Sequence, residues 1–62
     1  SLSADERAVL TLIEKERALF QADLGEKTGF AKVKITRILD KFESQGLIER
    51  KRRGMHNLVV LK

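Results

Sequence analysis

Cysteine, proline, tryptophan and tyrosine are absent from this chain, and histidine occurs once. Each absence closes off a class of function. Without cysteine there is no disulfide framework and no thiolate metal site, which fits a reducing cytoplasm. A metal centre needs three or four ligands at helix or turn spacing, and nothing around His56 supplies them. No metal and no cofactor are therefore expected. The carboxylates are scattered as surface charge, and the four glycines form no phosphate-cradling loop, so the sequence does not point to an enzyme. No run approaches the roughly 18 apolar residues of a membrane span, and no secretory signal is visible. The three aromatic residues, Phe20, Phe30 and Phe42, all fall at expected core positions. That argues against single-stranded nucleic acid, whose binders offer exposed rings to the bases.

What the chain does contain is basic charge, unevenly distributed. Residues 1–31 hold four Lys/Arg against six Asp/Glu, a net of −2, while residues 32–62 hold nine against three, a net of +6. A basic half on an otherwise balanced domain suggests a polyanionic partner. The 62 residues read as one domain, of a size that can sit within a larger protein. A chain this short buries only about 60% of its unfolded surface, which leaves little room for a small-molecule pocket.

Ser3 and Glu6 have capping-box spacing and predict a first helix over residues 4–16, its apolar arc formed by Val9, Leu10, Leu12 and Ile13. Ala18-Leu19-Phe20 is too short for a helix and reads as a small strand, with Phe20 in the core. A second helix runs from Gln21 to Thr28 and stops at Gly29, where a left-handed residue is needed. The third runs from Lys32 to Gln45. At about 100° per residue, its Ile35, Ile38, Leu39 and Phe42 share an inward arc, while Val33, Arg37, Asp40 and Ser44 point outward. Gly46 ends it. Leu47–Lys51 and Asn57–Leu61 then form a hairpin with its tip near Arg52–His56.

Counting from Gln21, the second and third helices match the requirements of a helix-turn-helix. A large apolar residue is needed fourth (Leu24), a small one fifth where the helices cross (Gly25), and glycine ninth for the turn (Gly29). Apolar residues are needed tenth, fifteenth and eighteenth (Phe30, Ile35, Ile38). All six are present.

With the hairpin added, the chain resembles the winged helix-turn-helix domains of prokaryotic transcription regulators. The stretch LGEKTGFAKVKITRILDKFESQGLIERKRRG resembles the MarR and ArsR type. The string from Thr28-Gly29-Phe30 through Gly54-Met55 to Asn57 is also similar to the C-terminal winged helix of membrane-associated archaeal regulators. Ala31 departs from the pattern, which usually has serine there, and the flanking helices by which MarR proteins dimerise are not in the sequence. The resemblance implies an α+β winged helix-turn-helix: three helices, a short strand and a C-terminal β-hairpin wing. It further implies a cytoplasmic domain, free or tethered to a membrane through its parent, and a homodimer formed on DNA or through regions outside these residues.

The expected partner is double-stranded DNA, since an α-helix fits the major groove. On the third helix, Arg37 is placed for a bidentate contact to guanine, Thr36 for a base or phosphate, and Val33 for a thymine methyl. Lys32, Lys34 and Lys41 flank the helix and are expected to meet phosphates. Asp40 is one turn from Arg37 and placed to orient it. In the wing, residues 50–57, the expected contacts are Arg50, Arg52, Arg53 and His56, on the backbone or in a minor groove whose negative potential attracts arginine. Alternation puts Arg50 and Arg52 on one face of the strand and Lys51 and Arg53 on the other. The alternative readings are a winged helix that docks another protein through an exposed apolar patch, and a wing that binds acidic membrane surfaces.

Overall fold

The computed structural model describes all residues from Ser1 to Lys62. The elements follow in the order α1 (Ala4–Glu16), β1 (Ala18–Phe20), α2 (Gln21–Thr28), α3 (Lys32–Ser44), β2 (Ile48–Arg53) and β3 (His56–Leu61). This is the α+β winged helix-turn-helix that the sequence implies. The third helix ends one residue earlier than expected, and the first wing strand runs two residues further.

The capping box at the start of α1 is complete. Ser3 Oγ accepts from the Glu6 backbone N–H at 3.1 Å, and Glu6 Oε1 accepts from the Ser3 N–H at 2.9 Å. Val9 and Ile13 lie at the centre of the core, while Leu10 and Leu12 pack half-buried on its edge. The helix ends at Arg17, whose φ of 69° and ψ of −40° are rare for a residue with a side chain. Two backbone bonds hold it there: its N–H donates to Ile13 O at 2.7 Å, and its carbonyl accepts from Leu61 N–H at 2.9 Å. Such a conformation costs about 1–3 kcal/mol, more than the roughly 0.5–1 kcal/mol of extra chain entropy that glycine brings. Arg17→Gly should therefore raise stability by about 1 kcal/mol. Urea denaturation measures it, and a lower midpoint would show that Arg17 is not strained.

The sheet has the order β1-β3-β2, antiparallel throughout. Its register pairs Leu19 with Val59 and Arg50 with Val59 from the other side, so Leu19, Ile48, Arg50, Arg52, Asn57, Val59 and Leu61 share the face toward the helices. The alternation corrects one expectation. Leu19 faces the core, and Phe20 falls on the outer face, 40% exposed, where its ring meets His56 edge-on with centroids 5.9 Å apart. A three-residue strand can send only every second side chain inward.

Between the helices, Gly29 adopts φ 75° and its N–H donates to Gly25 O at 2.8 Å, closing α2 as a left-handed cap. Gly25 is less constrained than its place at the helix crossing suggests. A Cβ there would lie 3.6 Å from Phe30 O, an ordinary contact, and its φ is not positive. Alanine should fit and relieve the cost of a helical glycine, so Gly25→Ala is expected to add about 0.5–1 kcal/mol. A loss of melting temperature would mean that the helices do need the closer approach.

Ala31 precedes α3 without any side-chain cap. The helix is held instead by its buried face: Ile35, Ile38, Leu39 and Phe42, against Val9, Ile13, Leu24, Ile48 and Val59. At its other end the Leu47 N–H donates to Phe42 O at 2.9 Å across Gly46, which has φ 75°. The chain then enters the hairpin, whose two-residue loop is Gly54-Met55.

Candidate nucleic-acid interface

With its inward arc buried, α3 presents three further surfaces, and each has a different neighbour. The flank toward α1 carries Lys34 and Lys41. Lys34 Nζ lies 2.6 Å from Asp5 Oδ2 and 4.8 Å from the centroid of the Phe30 ring. Lys41 Nζ lies 3.0 Å from Glu6 Oε2. The Ser3 backbone N–H, and after it Lys41, hold the Glu6 carboxyl below the usual carboxylate range.

The flank toward the sheet carries Glu43. Its carboxylate accepts from Arg50 Nε at 2.9 Å, from Arg50 Nη2 at 2.7 Å and from the Arg50 backbone N–H at 3.1 Å. Arg50 Nη2 also donates to Asp40 Oδ1 at 2.6 Å. These bonds from Arg50, side chain first and backbone second, hold the Glu43 carboxyl below its ordinary value. Arg50 thus ties the wing to α3 on the inner face of the sheet, with only 20% of its side chain exposed. Asp40, placed by helical spacing to orient Arg37, is paired with Arg50 instead. Glu6 and Glu43 contribute stability that is present above their unfolded pKa and lost as pH falls through the lower folded value.

The outer surface of α3 is open. Val33 is 63% exposed and Arg37 is exposed beside it, with no acid in hydrogen-bond contact. Thr36 is half-buried at the border with α2, where it accepts a hydrogen bond from Gln21 Nε2 at 3.1 Å.

The wing divides as the alternation requires. Arg52 lies on the inner face beyond Arg50. Arg53 lies on the outer face, its Nη1 donating to the Arg52 carbonyl at 3.1 Å. Between the wing tip, α2 and the start of α3 is an open groove of about 360 Å³, lined in part by Lys32, Arg52, His56, Met55, Gln21 and Asn57. Lys32, Arg52 and His56 thus come together with Glu26, Val33 stands exposed on the outer surface, and Arg37 lines a second groove on the α1 flank with Lys34, Asp5 and Glu6, the flank that also carries Lys41.

The sequence singled out neither Gln21 nor Asn57 as a site residue. Each is a half-buried amide inside the groove, and Asn57 Nδ2 donates to Gln21 Oε1 at 3.4 Å. Only the strand register, which places Asn57 opposite Arg52, brings them together.

A short strand, a helix-turn-helix and a basic hairpin in this arrangement make the chain a winged helix domain of the MarR type. It superimposes over its whole length on a point mutant of Escherichia coli MarR solved in complex with operator DNA, with a TM-score of 0.87 and 25% identity, covering 46% of that chain. It matches the fold of Bordetella bronchiseptica BpsR equally well, with a TM-score of 0.88 at 19% identity, covering 45% of that chain. More particularly, the chain belongs to the family described as Domain of unknown function (DUF7343), which matches residues 1–62. The uncharacterized protein MJ1254 of Methanocaldococcus jannaschii is 32% identical over 60 residues, 97% of this chain. The chain spans 13% of the length of that protein and just under half of the MarR and BpsR chains.

Proposed function

We propose that this domain binds double-stranded DNA sequence-specifically as the recognition module of a transcription regulator. The observation that carries this reading is the outer surface of α3, where Arg37 and Val33 stand exposed with no carboxylate in hydrogen-bond contact, together with the groove on the wing side that Lys32, Arg52 and His56 line. The superposition on a MarR bound to operator DNA supports it. In this reading α3 enters the major groove. Arg37 contacts guanine, Val33 a thymine methyl, and Thr36 a base edge. Lys32 meets a phosphate, and Lys34 and Lys41 exchange Asp5 and Glu6 for phosphates. Arg52, Arg53 and His56 follow the backbone or the neighbouring minor groove. Arg50 belongs to the scaffold that holds the wing. Homodimers assembled on DNA, or through regions outside these residues, would place two such domains on half-sites about 34 Å apart. The reading makes the domain cytoplasmic, with or without a membrane tether in its parent; no helix is long and apolar enough to cross a membrane.

A protein-docking role requires a contiguous apolar patch. The large apolar side chains that are exposed fall one each on β1 (Phe20), α3 (Val33), the α3–β2 link (Leu47) and the wing turn (Met55).

The test is selection of duplexes from a random pool, repeated with Arg37→Ala. The unaltered domain should enrich a defined site. The variant should lose about 1–3 kcal/mol on that site and relax its preference at one guanine. Unchanged binding to every duplex would remove Arg37 from the recognition surface.

A further inference from the structure

Four side chains from four elements form one hydrogen-bonded line along the groove. Arg52 Nη1 donates to Asn57 Oδ1 at 3.2 Å. Asn57 Nδ2 donates to Gln21 Oε1 at 3.4 Å, and Gln21 Nε2 donates to Thr36 Oγ1 at 3.1 Å. The line runs from the wing, across the hairpin and the first residue of α2, to α3.

Its direction is not arbitrary. A guanidinium can only donate, whereas an amide has one end of each kind and a hydroxyl can do either. Arg52 at one end therefore turns the Asn57 carbonyl toward itself and the Asn57 amide toward Gln21. Gln21 must then offer its carbonyl to Asn57 and its amide to Thr36. The Thr36 oxygen is left as an acceptor inside the protein, so its proton is available outside it. The other hydroxyls on these helices behave differently: Thr28 and Ser44 donate to carbonyls of their own helices, Leu24 O at 2.6 Å and Lys41 O at 2.8 Å. Thr36 makes no such bond.

We propose that Gln21 and Asn57 are positioning residues that fix Thr36 as a hydrogen-bond donor toward DNA and so help set base preference. This deepens the DNA-binding reading and rests on it. In the major groove guanine presents O6 and N7, thymine O4 and adenine N7 as acceptors, while the cytosine edge presents the N4 amino donor. Thr36 keeps its proton and one lone pair on the outside, so it can donate to guanine, thymine or adenine, whereas a Thr36 whose proton is drawn inward can only accept, as from cytosine.

The relay can be reversed by one substitution. In Asn57→Asp the carboxylate accepts from Arg52 as before but can no longer donate to Gln21. The Gln21 side chain then turns its amide toward the carboxylate and its carbonyl toward Thr36. The Thr36 proton is drawn inward and only lone pairs face the DNA, which suits cytosine. Gln21→Met removes both amide ends and leaves the hydroxyl free to rotate.

The experiment is duplex selection from a random pool with the unaltered chain, Thr36→Val, Gln21→Met and Asn57→Asp, with a thermal melt of each to confirm folding. Thr36→Val should flatten base preference at one position of the selected site. At that position the unaltered chain should take guanine, thymine or adenine. Asn57→Asp should shift the preference toward cytosine by about tenfold, and Gln21→Met should relax the position to near-equal use. The added negative charge of Asn57→Asp weakens all sequences alike, so only the base preference reads the relay. The proposal is overturned if Thr36→Val changes no position, or if folded Asn57→Asp and Gln21→Met both keep the original preference. Failure of the unaltered chain to select any duplex would bring down the DNA-binding reading itself, and is distinguished by appearing before any substitution is made.

Discussion

Replacing Phe42 by alanine is expected to unfold this domain. Phe42 is fully buried, with zero exposure, in a core of ten residues drawn from all three helices and all three strands. Truncating a buried phenylalanine costs about 3–5 kcal/mol, from lost transfer free energy and from the cavity left behind. A single core in a chain of this length supplies about 3–5 kcal/mol in total, so the loss equals the whole margin. Far-UV circular dichroism should show at least about half of the chain unfolded at 25 °C, against a cooperative melt for the parent. Val33→Ala is the control. Val33 is 63% exposed on the same helix, and its truncation should change stability by less than about 0.5 kcal/mol. A Phe42→Ala variant that melts within a few degrees of the parent would mean that the core relaxes around the missing ring.

The contrast between these two residues shows why the fold was readable in advance. Helical period alone separates Phe42 from Val33, and it assigned Ile35, Ile38 and Leu39 to the buried face as well. Glycine chemistry did the same for Gly29 and Gly46, which both adopt positive φ. Local rules gave less where an element was too short to show a period. In β1 the three residues offer one inward position, and size favoured Phe20 where register chose Leu19. Arg17 left no signal at all, because its backbone is fixed by a bond from the distant Leu61.

The candidate site was legible by residue type but not by partner. Composition and spacing identify a basic helix face and a basic wing. They do not say which cations face acids, because those acids come from elsewhere in the chain. Asp5 and Glu6 reach Lys34 and Lys41 across 29 and 35 positions of sequence. Glu43 and Asp40 take Arg50 through the register of a hairpin that the sequence does not number. The Gln21–Asn57 bond spans 36 positions and involves two amides with no charge to draw notice.

Arg52→Glu is expected to weaken DNA binding by about tenfold to a hundredfold at low salt, the second large effect this structure predicts. Two arginines two residues apart differ in what surrounds them. Both lie on the inner face of β2. Arg50 is enclosed by Glu43 and Asp40, with its charge already balanced. Arg52 donates to a neutral amide, Asn57, and lines the groove with Lys32 and Glu26 without an ion pair to Glu26 or any other acid. In the proposed DNA-binding mode, reversing its charge would remove one phosphate contact and place a carboxylate where the DNA backbone would run. The slope of log affinity against log salt should fall by at least about one unit, since one fewer counterion is released. Arg50→Gln should do the opposite: lower the melting temperature by freeing Glu43 and Asp40, yet leave the salt slope unchanged. Fluorescence anisotropy with one duplex across a salt series, beside a thermal melt, measures both. If Arg50→Gln lowers the slope while Arg52→Glu does not, the two arginines have been assigned to the wrong tasks, and the wing meets DNA through the face that now closes onto α3.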